Sequence, residues 1–234
     1  METGILYEDN HLLVVNKPAG RLVQGDRTGD TSLLEELKDY IGKKYNKPGK
    51  VFLGVVHRLD RPVSGVLLFA RTSKALTRLN QQFQSRIVQK TYWAVVDRLP
   101  EPQSNTLIHW IKKDREKNKV AVHDKIVSES KRAELSYSLL TENKRHFLLE
   151  VIPVTGRPHQ IRAQLARIHC PIVGDLKYGS KKTNSDGNIS LHAQALIFEH
   201  PVKKERIEIV IDPPHSHPWN LFNSESSIPR GRNH

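Results

Sequence analysis

The segment His57-Arg58-Leu59-Asp60-Arg61-Pro62-Val63-Ser64-Gly65 gathers a carboxylate, an imidazole and two guanidinium groups within a few positions. Very apolar runs lie on both sides of it, and Gly65 allows the chain to turn. Loops held by rigid strands are where catalytic groups tend to sit. A carboxylate placed there, with Arg58 and Arg61 beside it, is a candidate catalytic group. An aspartate in a turn is more often a cap or a turn residue, and composition alone does not separate the two readings. A second segment, Thr155-Gly156-Arg157-Pro158-His159-Gln160-Ile161-Arg162, gathers donors: two guanidinium forks, an imidazole and an amide. The unbonded N–H groups of a first helical turn add to them. Such a cluster suits a phosphate or a carboxylate. The competing reading is a pair of surface arginines, although arginine at a helix N-terminus opposes the dipole and calls for a partner.

Regular elements must carry these segments. Leu12–Val15 reads as a strand stopped by the turn Lys17-Pro18-Ala19-Gly20. Ser32-Leu33-Leu34-Glu35 matches a capping box, with Leu33, Leu37, Tyr40 and Ile41 at helical spacing behind it. The spacing of Leu76, Leu79, Phe83 and Ile87 predicts a second helix over about 73–87, with Lys74, Arg78 and Arg86 supplying positive charge. A third helix is expected to start near Pro158, a residue suited to the first helical position, with Ile161, Leu165 and Ile168 on its apolar side. Strands are expected over 51–56, 65–70, 91–96, 133–139, 147–154, 191–198 and 207–211. Successive strands without helices between them point to antiparallel pairing, so the class is α+β: a mixed, mostly antiparallel sheet flanked by helices and loops, with a cleft for the active site. The charge run 112–119 and the polar tail 215–234 are expected to be loose, leaving residues 1–214 as one domain.

The chain has 234 residues, 37% of them hydrophobic and 26% charged, as in soluble globular proteins. Lys and Arg total 37 against 25 Asp and Glu, a net charge of +12 that predicts an anionic partner such as nucleic acid. Cys170 is the only cysteine, which excludes an intramolecular disulfide and a thiolate metal cluster. The 12 histidines show no paired metal-ligand spacing, so no metal is expected. The start lacks the pattern of a secretory signal, and no apolar run reaches the roughly 18 residues of a membrane helix. A cytoplasmic location without membrane contact, and a monomer, are expected.

Read together, the segments resemble the RluA-type pseudouridine synthases. His57-Arg58-Leu59-Asp60 followed by Ser64-Gly65 looks like that family's HRLD-x-x-x-SG signature. Ile5–Asp9, then Val14-Val15-Asn16-Lys17-Pro18 with Gly20, look like its opening strand and turn, and Lys90-Thr91-Tyr92 like its K-x-Y motif. Gly156-Arg157, His159-Gln160-Ile161-Arg162, Pro171–Asp175, Leu191-His192-Ala193, Phe198 and His200-Pro201 follow in order. Pro62-Val63 departs from a more polar pair, Pro158 stands where Thr is common, and Gln164 stands where a second His is common. These departures bear on loop shape and RNA contacts. The resemblance begins almost at Met1, so the S4-like RNA-binding domain of many relatives is expected to be absent.

The resemblance implies an RNA uridine isomerase that needs no cofactor, with transfer or ribosomal RNA as partner. Asp60 would be the catalytic carboxylate on a flipped-out base, a step costing about a few kcal/mol of lost stacking. Tyr92 would pack against the base and take a sugar proton in a glycal route. Arg162 would pair with Asp60 within about 4 Å, keeping the carboxylate ionised. Arg58, Arg61, Arg157, His159 and Lys17 would bind RNA. Attack at the sugar, addition to the ring and a glycal intermediate all stay open. The alternative is a non-catalytic RNA-binding protein or RNA chaperone on the same scaffold. A nuclease or glycosidase is weaker still, since glycoside hydrolysis usually needs two cooperating carboxylates.

Overall fold

The structure, a computed structural model, describes residues 4–26, 29–114, 116 and 118–222. Their packing falls into two units, one within residues 1–90 and 193–211, the other within 91–192 and 212–234.

The first unit is built on strands β1 (Gly4–Glu8), β2 (Leu12–Lys17), β3 (Gly54–Val55) and β4 (Ser64–Ala70), with the two late strands β10 (Leu191–Glu199) and β11 (Arg206–Val210). They run in the order β1-β2-β4-β10-β11, and β3 adds to β4. The register Leu12↔Ala70 to Lys17↔Gly65 is antiparallel. Every residue of β4 is buried, which explains its unbroken apolar run. Helix α1 (Leu33–Lys44) begins where the capping pattern places it: the Ser32 side chain accepts the Glu35 N–H. Helix α2 (Ser73–Gln84) lays Ala75 and Leu79 on Leu12, Val14, Val66, Leu68, Leu196 and Phe198.

Helix α2 ends three residues earlier than its apolar spacing suggests. Arg86 adopts a left-handed conformation with φ 60°, and the Ile87 N–H returns to the Gln82 carbonyl. This closure satisfies the last carbonyls and turns Ile87 outward, leaving it 59% exposed. The expected strand over 51–56 shrinks to Gly54–Val55.

Gly65 has φ +124°, and a Cβ there would stand 2.5 Å from the backbone nitrogen of Ala193. Both the conformation and the space require glycine. Gly65→Ala is expected to lower stability by about 1–3 kcal/mol or more, as overpacking against backbone does. Denaturant unfolding at equilibrium measures it; an unchanged midpoint would show that the two strands can part without cost.

The second unit holds β5 (Gln89–Val96), β6 (Ser104–Asp114), β7 (Lys119–His123), β8 (Lys131–Asn143) and β9 (His146–Pro153). Their order is β5-β9-β8-β6-β7 with antiparallel pairing throughout. Helix α3 (Gln160–Arg167) packs Ala163 on Ile111, Val120 and Ala133. Gln164, fully buried, is 3.2 Å from the Leu107 carbonyl and 2.9 Å from His109 Nδ1. The residue that departs from the family pattern thus fastens α3 to β6.

Parts of two stretches expected to be loose are ordered; residues 115 and 117 of the first lie outside the described residues. The charge run 112–119 contributes to a hairpin, with Lys112↔Ala121, Lys113↔Val120 and Asp114↔Lys119 in register. Pairing with Ile111 and Val120, which are buried, draws the charged residues into the strands and leaves their heads to solvent. Beyond Pro214, Trp219 and Phe222 are buried with Trp93, Val95 and Leu148. Burying such a side chain contributes about 1.5–3 kcal/mol, enough to hold this part of the tail. Residues 223–234 lie outside the described residues. Each unit thus joins an antiparallel sheet to helices, the α+β class. Among the described residues no helix is long and apolar enough to cross a membrane.

Candidate active site

In the first unit the loop between β3 and β4 carries His57 to Val63. His57 accepts the Leu68 N–H at Nε2 (3.2 Å) and stacks on Phe83, the ring centroids 5.0 Å apart. Burial, helped by the charge of Lys90, pushes this imidazole down to about 3, so it is a neutral anchor rather than an RNA-facing cation. Asp60 closes a tight turn in which its carbonyl accepts the Val63 N–H at 3.0 Å. Its side chain is half-buried, and Arg58 is exposed two positions earlier.

The turn is clasped from beneath by Lys17. Its ammonium donates to the carbonyls of Val63 (2.7 Å), Pro18 (3.0 Å) and Arg61 (3.1 Å). The side chain is fully buried, so Lys17 does not reach RNA as the resemblance suggests. Three carbonyls of two adjoining turns point inward, and one ammonium with three donors satisfies them. Burial pulls the ammonium down to about 7, opposed by the negative charge of Asp60 and reinforced by Arg21 and Arg61. Lys17 and Asp60 therefore share one electrostatic environment.

Arg61 is exposed, yet it is also engaged. Its Nε donates to the Gly20 carbonyl at 3.0 Å and its Nη1 meets Asp30 at 2.9 Å, while the Gly20 N–H donates to the Arg61 carbonyl. The guanidinium ties the two turns together from the solvent side.

In the second unit Tyr92 lies half-buried on β5, opposite Val151 of β9. Arg162 occupies the first turn of α3, as the sequence predicts, but Pro158 is not its first residue. His159 is the N-cap in a left-handed conformation (φ 52°, ψ 19°), and the helix starts at Gln160. No side chain caps the helix; the Gln160 side-chain oxygen instead holds the preceding turn, accepting from the Arg157 N–H (2.9 Å) and the Thr155 hydroxyl (2.7 Å). Its amide nitrogen donates to the Glu134 carbonyl of β8 at 3.0 Å. Arg157 Nε donates to the Arg132 carbonyl at 3.0 Å, so this half-buried arginine is also committed in part to holding the turn.

Arg162 is 5% exposed and grips Asp175 through two bonds, Nε to Oδ2 at 2.7 Å and Nη2 to Oδ1 at 2.9 Å. Its guanidinium carbon lies 5.1 Å from the Tyr178 ring centre. The Tyr178 hydroxyl accepts the Val120 N–H at 3.0 Å and sits 2.8 Å from His159 Nδ1. One edge and one face of the guanidinium are therefore fixed by Asp175 and Tyr178, both on the short 3-10 turn that follows Gly174. Gly174 has φ +88°, and a Cβ there would stand 2.5 Å from the Asn188 carbonyl. Sequence reasoning does not place Asp175 or Tyr178 in the site. Asp175 ends the Pro171–Asp175 motif, which is the signal that could have found it; nothing local in the sequence marks Tyr178.

The structure thus gathers Lys17, Asp60 and Arg61 in the first unit, and Arg157, His159 and Arg162 in the second, with Tyr92 also in the second. Chemically, the first group presents a carboxylate on a braced turn, and the second an immobilised guanidinium beside further donors. The family model described as RNA pseudouridylate synthase matches residues 11–167. The chain is 34% identical to the ribosomal large subunit pseudouridine synthase C of Buchnera aphidicola subsp. Baizongia pistaciae, over 88% of this chain and 65% of that relative. It thus spans a little under two thirds of that relative's length. It is 35% identical to the tRNA pseudouridine synthase C of Pasteurella multocida, over 89% of this chain and 90% of that protein. Among solved structures, the human RNA pseudouridylate synthase domain containing 4 superposes with a TM-score of 0.74 at 26% identity, covering 90% of this chain and 88% of that one. A match that runs through both braced turns, in sequence and in fold, makes this chain a member of the RNA pseudouridylate synthase family.

Proposed function

We propose that this chain is an RNA pseudouridine synthase that isomerises one or more uridines of transfer or ribosomal RNA, acting as a monomer in the cytoplasm without a cofactor. The observation that carries the reading is the family match over residues 11–167, which includes Asp60, Tyr92 and Arg162. The bond from C1′ to N1 breaks, the uracil turns, and C1′ bonds to C5. N1 takes up a proton and C5 releases one to solvent, so product and substrate have the same composition. No oxidant, reductant or ATP enters that balance.

Asp60, ionised, serves the reacting sugar or ring as nucleophile or as counter-charge. The pairing of Arg162 with Asp60 belongs to this reading, and the rigid Asp175 fork supports it by denying the guanidinium other positions. Arg58, Arg61, Arg157 and His159 are assigned to RNA; the exposed head of Arg58 and the net charge of +12 support this. Lys17 is assigned instead to bracing the Asp60 turn.

Tyr92→Phe tests the proton transfer. Only the hydroxyl is lost, so fold and RNA affinity are expected to stay while tritium release from C5-tritiated uridine in RNA falls by about 10²-fold or more. Normal turnover would leave Tyr92 as a packing surface alone. A wild-type protein that bound RNA and released no tritium would favour the non-catalytic RNA binder.

A further inference from the structure

The second unit contains an open cleft of about 370 Å³ whose lining includes Arg98, His169, Lys181, Asp97 and Tyr178. That volume is in the range of small-ligand sites. It has room for a sugar and its phosphate, not merely an ion. Two cations and an imidazole face it, against the single carboxylate of Asp97.

None of Arg98, His169 and Lys181 makes a side-chain hydrogen bond or salt bridge with another described residue. This sets them apart from Arg61, Arg157, Arg162 and Arg167, which are bound to Asp30, the Arg132 carbonyl, Asp175 and Asp124. The C-terminal carbonyls of α3 could in principle attract the same cations. At Ala166, which lines the cleft, the carbonyl already accepts the N–H groups of Ile168 and His169, and neither Arg98 nor Lys181 donates to it. Tyr178, held by Val120 and His159, makes a fixed wall. Gly179, at φ +104° with open space where a Cβ would be, leaves the rim next to Lys181 unobstructed.

Uncommitted cations around a concave polar surface are a site for an anion. We propose that this cleft binds a phosphodiester of the substrate RNA, holding the backbone through Arg98 and Lys181 and reading no base. The inference rests on RNA being the substrate, and it adds a binding site that the family motifs do not mark. Backbone contacts position a nucleic acid without specifying its sequence. Loss of the two cations should therefore weaken all RNA substrates alike.

The test compares wild type with Arg98→Ala/Lys181→Ala, using C5-tritiated total RNA from cells lacking the gene. Lys47→Ala/Lys50→Ala, on an exposed stretch of the first unit, removes the same charge elsewhere. Both cleft cations are exposed, so the fold is expected to persist, and circular dichroism checks it. For the cleft variant KM should rise roughly 5- to 10-fold with kcat unchanged. The slope of log affinity against log salt should flatten by about 0.7–0.9 for each phosphate that is no longer neutralised. A slope and KM no different from those of the control variant would overturn the proposal. So would a fall in kcat at constant KM, which would place the cleft in the chemistry. A wild type that bound RNA without releasing tritium would sink the proposed activity alone, because the salt slope would still judge the cleft. A wild type with no affinity for RNA would sink both.

Discussion

Asp60→Asn is expected to lower isomerisation to about 1% of wild type or less, the scale on which removing a group that stabilises a transition state acts. The change keeps the size of the side chain and its capacity for hydrogen bonds. It removes the charge and the nucleophilic oxygen. The backbone bonds that shape the turn stay in place, and the lost charge reaches them through the Lys17 ammonium, which burial pulls down to about 7 and Asp60 helps keep charged. RNA affinity should therefore change little, and the melting temperature should fall only modestly. Tritium release well above 1% in the asparagine variant would remove Asp60 from the centre of the reaction. A large fall in stability would instead mark it as a turn residue, the commoner role for aspartate in such a place.

The second large effect falls on stability. Asp175→Ala strips the bidentate partner from a guanidinium that is only 5% exposed. Breaking a buried ion pair by removing one partner costs about 3–5 kcal/mol. For a chain of this size that lowers the melting temperature by about 6–20 °C. Asp175→Leu combined with Arg162→Met separates structure from chemistry. An apolar pair of similar volume is often no less stable than the ion pair it replaces. The double variant should recover most of the lost stability, and on the proposed reading it should stay inactive. An active double variant would show that Arg162 serves the fold and nothing more.

Much of this was legible in the sequence, and the reasons are local. The capping pattern at Ser32, the alternation in β8 and β9 and the apolar run of β4 each express a single physical demand over a few residues. The position of Arg162 on a first helical turn was readable for the same reason. Three features were not. The end of α2 is set by a left-handed arginine, a conformation that sequence does not announce. The paired residues Lys112, Lys113, Asp114 and Lys119 are charged positions recruited by neighbours whose apolar faces are buried. The burial of Lys17 depends on carbonyls 44 and 46 positions away, so a residue that reads as a surface cation becomes an internal brace. In the same way Asp175 and Tyr178 acquire their roles only when α3 is folded beside the turn that follows Gly174.

Cys170 is the only cysteine of the chain, and it is buried. Burial pushes its thiol up to about 11, opposed by the charge of Arg98 and reinforced by that of Asp97. The thiolate is the reactive species towards oxidants and alkylating reagents, so at neutral pH this sulfur is nearly inert. The wild-type chain is in practice a cysteine-less background. A single cysteine introduced at an exposed position outside the residues assigned to RNA, such as Lys47 or Lys182, would take a maleimide dye alone. Fluorescence from that dye could then follow RNA binding without any prior removal of native thiols.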